Sequence, residues 1–280
     1  MFESRGLKRF LRNQLAVVGL LMVFLVVLIA IFAPWIAPFD PLEQNYDEIL
    51  QPPSRQHFMG TDALGRDLFS RVVYGSRYAL MIGVAVVLFE LAIGASLGFI
   101  AGYFGGIWDL VIMRLVDTIL SIPTLVLAMA IAGAFGGGLW VMVVAIAVAG
   151  WGQFARLVRA QALSLKEAAF IEAARALGAS HLRIIVRHLL PNSMGPVLVY
   201  TTLYIPTAIL WSASLSFLGL GAQPPTPEWG AIIADGRGFM SSAWWISTFP
   251  GLAIMITTLG FNFLGDGLRD ALDPKFERQL

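Results

Sequence analysis

Residues 15–33 read LAVVGLLMVFLVVLIAIFA, an uncharged run of 19 residues. The hydrocarbon core of a bilayer takes about 20 apolar residues as a helix, so this run is long enough to cross it. Arg5, Lys8, Arg9 and Arg12 precede it, as in a secretory signal. A signal's apolar core spans only about 7–15 residues, so the longer run reads as a retained anchor. Pro34 and Pro38 end it.

The rest of the chain agrees with that opening. Of 280 residues, 58% are hydrophobic and 13% charged, against about 25% charged in soluble domains. Mean hydropathy is +0.75. So little charge cannot cover a water-exposed surface, which excludes an ordinary soluble enzyme. A net charge of +1 gives no basic field for nucleic acid. Without cysteine the chain has no disulfide, thiolate metal site or cysteine nucleophile.

Further apolar runs complete an all-α polytopic membrane protein with six transmembrane helices. The second runs from about Ala79 to Tyr103 and contains Glu90. Thr118–Ala155 is uncharged and too long for one crossing, and Gly133 and Gly136–Gly138 are expected to divide it into the third and fourth spans. The fifth is placed at about Gly195–Gly219 and the sixth within Gly238–Gly265. The expected organisation is an N-terminal segment 1–13, a first helix 14–37, an outer loop 38–78, a five-helix core 79–265 containing the inner loop 156–190, and a tail 266–280. Lys and Arg concentrate on the inner side of spans. With the N-terminus inside, inner segments hold 14 of the 19 basic residues, so both termini are expected in the cytoplasm.

Residues 156–188 form the most charged stretch. Ser164 and Glu167 stand at capping-box spacing, and Gly178 suits a left-handed helix end. A helix of about 14 residues is expected between them. On a 3.6-residue period Phe170, Ala173, Ala174 and Leu177 share one face, with Glu172 and Arg175 on the other. Such a helix lies in the headgroups or docks into a groove on a soluble partner. Its small alanines favour docking.

Glu172-Ala173-Ala174-x-x-x-Gly178, followed by His188-Leu189-Leu190-Pro191, resembles the EAA loop of ABC importer permeases, with His188 where Ile is usual. Gly60–Arg71 (GTDALGRDLFSR), Pro224–Gly230 (PPTPEWG) and Gly265–Pro274 (GDGLRDALDP) are similar to the C-type permease subunit of dipeptide and oligopeptide importers. The resemblance runs from about residue 10 to 275.

It implies the ABC importer permease fold and a subunit that is not an enzyme. In such importers a second homologous permease completes the pathway in the plasma (inner) membrane. Two cytoplasmic ATPase subunits hold ATP-Mg, and an extracytoplasmic binding protein delivers dipeptides or short oligopeptides. This chain would bind no cofactor of its own, and it contains no Gly-x-x-x-x-Gly-Lys-Ser/Thr loop for a nucleotide. Phe170, Glu172, Ala173, Ala174, Gly178 and Pro191 are the candidates for ATPase coupling. Nickel or another small solute is the alternative cargo. An ion-coupled carrier would place several ionisable groups in mid-membrane, where only Glu90 stands, and a membrane enzyme would need an acid–base or metal cluster that the sequence lacks.

Five residues are candidates for the pathway or outer mouth: Glu90, Asp117, Glu228, Asp235 and Arg237. Glu90 lies one turn before the stripe Gly94, Gly98, Gly102, a spacing for close helix packing. It therefore reads as a structural carboxyl, hydrogen-bonded or protonated, beside a pathway role. Arg114 and Asp117 are spaced for a salt bridge within one helix. Glu228, Asp235 and Arg237 solvate the outer loop, dock a binding protein, or meet the terminal charges of a peptide. His57, His181 and His188 are read as unremarkable.

Overall fold

A computed structural model describes residues 9–272. Most of the expected N-terminal segment and the end of the tail, with Arg5, Lys8, Lys275 and Arg278, lie outside the described residues. Within them the chain is almost entirely helical. Five helices are long and apolar enough to cross a membrane, or six if one sharply bent pair counts as a single crossing.

Helix α1 (Gln14–Ile36) begins where the Asn13 side chain accepts a hydrogen bond from Ala16 N–H. It lies at the periphery against the last helix, α9 (Trp245–Leu272). Small residues set that crossing. A side chain on Gly19 would come within 2.6 Å of Leu264 N, and Gly260 faces Met22 in return.

Helix α2 (Leu68–Phe104) has 37 residues, about 55 Å at 1.5 Å per residue. It starts well before the expected Ala79. The cause is Asp67, whose carboxylate accepts from Ser70 N–H at 2.7 Å and caps the helix inside the loop. Its glycine stripe lies on α5 (Leu139–Leu165). A Cβ on Gly94 would sit 2.7 Å from Trp151 O, and one on Gly98 2.7 Å from Ala155 O. The two backbones touch because the stripe carries no side chains.

The third crossing departs from expectation. It begins at Gly106, not near Thr118, as α3 (Gly106–Leu120), and continues as α4 (Thr124–Ala134) after a bend of 86°. The break falls at Ser121-Ile122-Pro123, because proline donates no backbone hydrogen bond and pushes the residue before it out of helical geometry. The expected start is set by the uncharged run from Thr118, and the helix extends back from it through Asp117, Arg114 and Asp109. The turn to α5 uses Gly136, Gly137 and Gly138, all at positive φ.

After α5 comes a short helix, α6 (Ala169–Ala176), then α7 (His181–Phe217), which begins well before the expected Gly195. A π-helical stretch, Ile185–Leu189, loosens α7 just before Pro191. The widened turn absorbs the donor that Pro191 lacks. A short α8 (Trp229–Gly236) precedes α9, so the last crossing starts later than Gly238. The core joins α2, α4, α5 and α7 around Ile82, Val86, Ile146, Phe154 and Leu215.

Residues 38–67 form an ordered cap at one end of the bundle, the loop end. Trp245 donates to Thr61 O at 3.1 Å, and Trp229 to Val72 O at 2.9 Å. Residues 166–180 lie at the opposite, basic end.

Candidate functional site

At the basic end, α5 runs straight through Ser164 to Leu165, and Lys166 N–H closes onto Ala162 O. The expected capping box does not form. The apolar face of α5 continues through Val158 and Ala162, both fully buried, and this packing carries the helix past Ser164. α6 is therefore eight residues long rather than about 14, and Ala168 begins it without a side-chain cap. Its other end is as expected. Gly178 has φ +77°, and Ala179 N–H closes onto Ala174 O at 3.0 Å, the reverse turn that ends a helix at a left-handed residue.

The faces of α6 also differ from expectation. Ile171 and Ala174 are buried against Val158 and Ala162 of α5, Phe99 and Tyr103 of α2, and Ile184 and Leu189 of α7. Ala174 is thus an anchor, because only the side nearest α5 can be covered. Phe170 (43% exposed) and Leu177 (88% exposed) point away from the bundle, with Glu172 and Ala173 also exposed. The Phe170 ring lies 6.5 Å from that of His188. Pro191 is exposed one turn further along. Phe170 and Leu177 thus leave an apolar patch exposed on a short helix at the basic end.

Three side chains tie this surface to the long helices. Tyr103 Oη and His181 Nδ1 are hydrogen-bonded at 2.9 Å. The Arg175 guanidinium lies 5.4 Å over the Tyr103 ring. The end of α2, the end of α6 and the start of α7 meet there. His181 thus has a structural part that its isolated position in the sequence did not reveal.

The five pathway candidates are scattered. Glu90 is fully buried on α2, against Gly150 of α5 and near Tyr204 of α7. Neither its carboxyl oxygens nor Tyr204 Oη has a hydrogen-bond partner among the described residues, so the expected hydrogen bond is not found. Asp117 pairs with Arg156 of α5 at 2.6 Å, not with Arg114. Glu228 is buried and caps α8, accepting from Ala231 N–H at 2.9 Å. Burial raises its pKa, and hydrogen bonds from Ala231, Gly230 and Ser216 partly oppose that rise. Its carboxylate is occupied by the fold rather than offered to the mouth.

Asp235 and Arg237 do come together, beside an open cavity of about 260 Å³ also lined by Gln223 and Pro224. Asp235 accepts from Arg66 at 3.3 Å and lies 3.8 Å from Arg71. Arg66 and Arg71 both reach Asp62, at 2.6 and 3.4 Å. This network, buried except at Asp235, links the loop-end cap to α8. Nearby, His57 sits between Asp67 (2.8 Å) and Glu48 (3.2 Å). The sequence offered only Asp62 and Arg66 four apart as a signal for it.

A family model described as "Binding-protein-dependent transport system inner membrane component" matches residues 94–278. A second, "N-terminal TM domain of oligopeptide transport permease C", matches residues 4–53. The dipeptide transport system permease protein DppC of Alkalihalophilus pseudofirmus is 48% identical over 270 residues, covering 96% of this chain and 89% of that protein. The glutathione transport system permease protein GsiD of Escherichia coli O6:K15:H31 is 48% identical over 271 residues, with the same coverage. A chain of the MetNI methionine ABC transporter in an inward-facing conformation superposes with a TM-score of 0.59 at 23% identity, covering 74% of this chain and 98% of that one. That last likeness is one of fold. The chain belongs to the inner membrane components of binding-protein-dependent ABC importers, among the permeases of the oligopeptide C type.

Proposed function

We propose that the chain is one of two membrane halves of an ATP-driven importer of dipeptides or short oligopeptides. The names of relatives 48% identical along nearly the whole chain support that cargo class, and glutathione, a tripeptide, lies within it. A second permease of the same kind completes the pathway. An extracytoplasmic binding protein delivers cargo to the loop end, where Asp235 and Arg237 stand. Two ATPase subunits with ATP-Mg engage the basic end. The chain lies in the plasma (inner) membrane with both termini in the cytoplasm, the orientation favoured by its lysines and arginines.

One observation carries the coupling assignment: Phe170, Glu172, Ala173 and Leu177 are exposed on a helix whose other face is anchored in the bundle. The ATPases grip the exposed face. Ile171 and Ala174 pass their motion to α5, and Tyr103 with His181 pass it to α2 and α7. Packed helices then move as rigid bodies between two arrangements. Nucleotide biases that equilibrium only through contacts that differ between the states. Gly178 and Pro191 fix where α6 ends and where α7 loosens.

The test is Gly178→Val and Glu172→Lys in the assembled transporter. Positive φ disfavours a β-branched residue at 178, and reversal of charge at 172 meets the partner directly. Both variants should insert normally yet lose ATPase stimulation and dipeptide uptake. Normal uptake by both would refute the assignment.

A further inference from the structure

Helix α3 has three faces. Ile112 and Val116 are buried with Ala101 of α2 and Trp151 and Ala155 of α5. Trp108 and Leu115 are exposed and apolar, a surface for lipid. Arg114, Asp117, Thr118 and Ser121 are exposed and polar, spaced by three, four and seven so that they form one stripe along the helix.

The depth of that stripe follows from the packing. Glu90 is the one charge between Arg77 and Asp109 and stands near the middle of that run, so it marks the centre of the crossing. Gly150 of α5 is level with it. Arg156 is six residues further along α5, about 9 Å at 1.5 Å per residue. Half of the hydrocarbon core is about 15 Å. The Asp117–Arg156 pair therefore lies inside the hydrocarbon layer, yet its side chains are 52% and 49% exposed. The break at Ser121–Pro123 is deeper still, since Leu120 packs on Gly152, only two residues from Gly150, and it is exposed as well. Lipid tolerates neither half-exposed charges nor non-helical backbone at this depth, whereas a water-filled cavity accepts both.

We infer that the stripe Arg114–Asp117–Thr118–Ser121, with Arg156, is a wall of the aqueous translocation pathway that holds the charged ends and backbone of a peptide in transit. The inference rests on the peptide-import reading above. Thr118 Oγ1 donates to Arg114 O at 2.8 Å and Ser121 Oγ to Thr118 O at 2.7 Å. Both hydroxyls spend their proton on the helix and present only acceptor lone pairs, which suit peptide N–H groups. Asp117 suits an ammonium. Arg114, which has no ion pair among the described residues, and Arg156 suit a carboxylate.

The chain has no cysteine, so single substitutions report cleanly. In the complete transporter in permeabilised proteoliposomes, Thr118→Cys and Ser121→Cys should react with a charged, water-soluble thiol reagent at least tenfold faster than Trp108→Cys and Leu115→Cys. Modification is read on this chain by mass. A saturating dipeptide with its binding protein and ATP should slow labelling of Thr118→Cys several-fold. Rates equal to those at 108 and 115 would overturn the inference, whether lipid or the second permease covers the stripe. Fast labelling that dipeptide leaves unchanged would overturn the peptide-holding role. Dipeptide uptake by the unsubstituted transporter is measured in parallel. If uptake is absent, the import reading itself fails; if uptake is present and the stripe is unreactive, only this inference fails.

Discussion

Replacing Ile171 with alanine should release α6 from the bundle without disturbing the surface it presents. Eight residues cannot hold a helix alone in water, because nucleation costs more than so few bonds return. α6 persists because Ile171 and Ala174 are buried on α5, α2 and α7. Ile171 is fully buried, and shortening a buried isoleucine to alanine costs about 2–5 kcal/mol. At about 1.4 kcal/mol per tenfold, that weakens docking by roughly 30-fold or more. Leu177 gives the contrast. It is 88% exposed, so Leu177→Ala should leave α6 docked while weakening ATPase binding. Hydrogen exchange of amides 169–176 separates the cases. Ile171→Ala should speed their exchange and uncouple ATP hydrolysis from uptake, whereas Leu177→Ala should leave exchange unchanged and reduce copurification of the ATPases. Unaltered exchange in Ile171→Ala would refute the account of how α6 is held.

Three further outcomes follow from the packing. Gly98→Val places a Cβ 2.7 Å from Ala155 O and 2.9 Å from the Val158 side chain; overpacking of this kind costs about 1–3 kcal/mol, so thermal unfolding in detergent should begin lower than in Gly251→Val, where no atom lies within 4 Å. Arg71→Met removes a buried partner from Asp62, which keeps Arg66 at 2.6 Å, and leaves Pro41 O without its donor; proteolysis within residues 38–67 should accelerate. The Glu228 carboxyl holds its proton more tightly folded than unfolded, so between the ordinary carboxylate range and its raised value the native state binds more protons. Stability should therefore rise as pH falls through that window, and Glu228→Gln, whose amide oxygen still caps Ala231 N–H, should flatten the slope of midpoint against pH.

Legibility in the sequence depended on which force set each feature. Runs such as 15–33 are visible because a hydrocarbon layer demands them residue by residue. The Gly94–Gly98–Gly102 stripe showed a close approach, though not that α5 was its partner. The extent of α3 was obscured because the uncharged run begins only at Thr118, after Asp109, Arg114 and Asp117, whereas two of the helix's three faces meet protein or lipid. Ser164 and Glu167 have the spacing of a cap, but burial of Val158 and Ala162 carries α5 beyond them, so tertiary packing overrode a local motif. The same packing turned Ala174 inward and left Phe170 outside. The Asp62–Arg66–Arg71–Asp235 network joins residues as much as 173 positions apart, and no local pattern encodes such a pairing.

Helix α2 contains no proline and no break over its 37 residues, and both ends are fastened, by the Asp67 cap and by the Tyr103–His181 bond. It is a lever arm. A tilt of about 5° about the Tyr103 end, over roughly 55 Å of rod at 1.5 Å per residue, swings the opposite tip by about 5 Å, close to the spacing between neighbouring polypeptide strands. Because Gly94 and Gly98 hold it backbone to backbone against α5, such a swing carries both rods together.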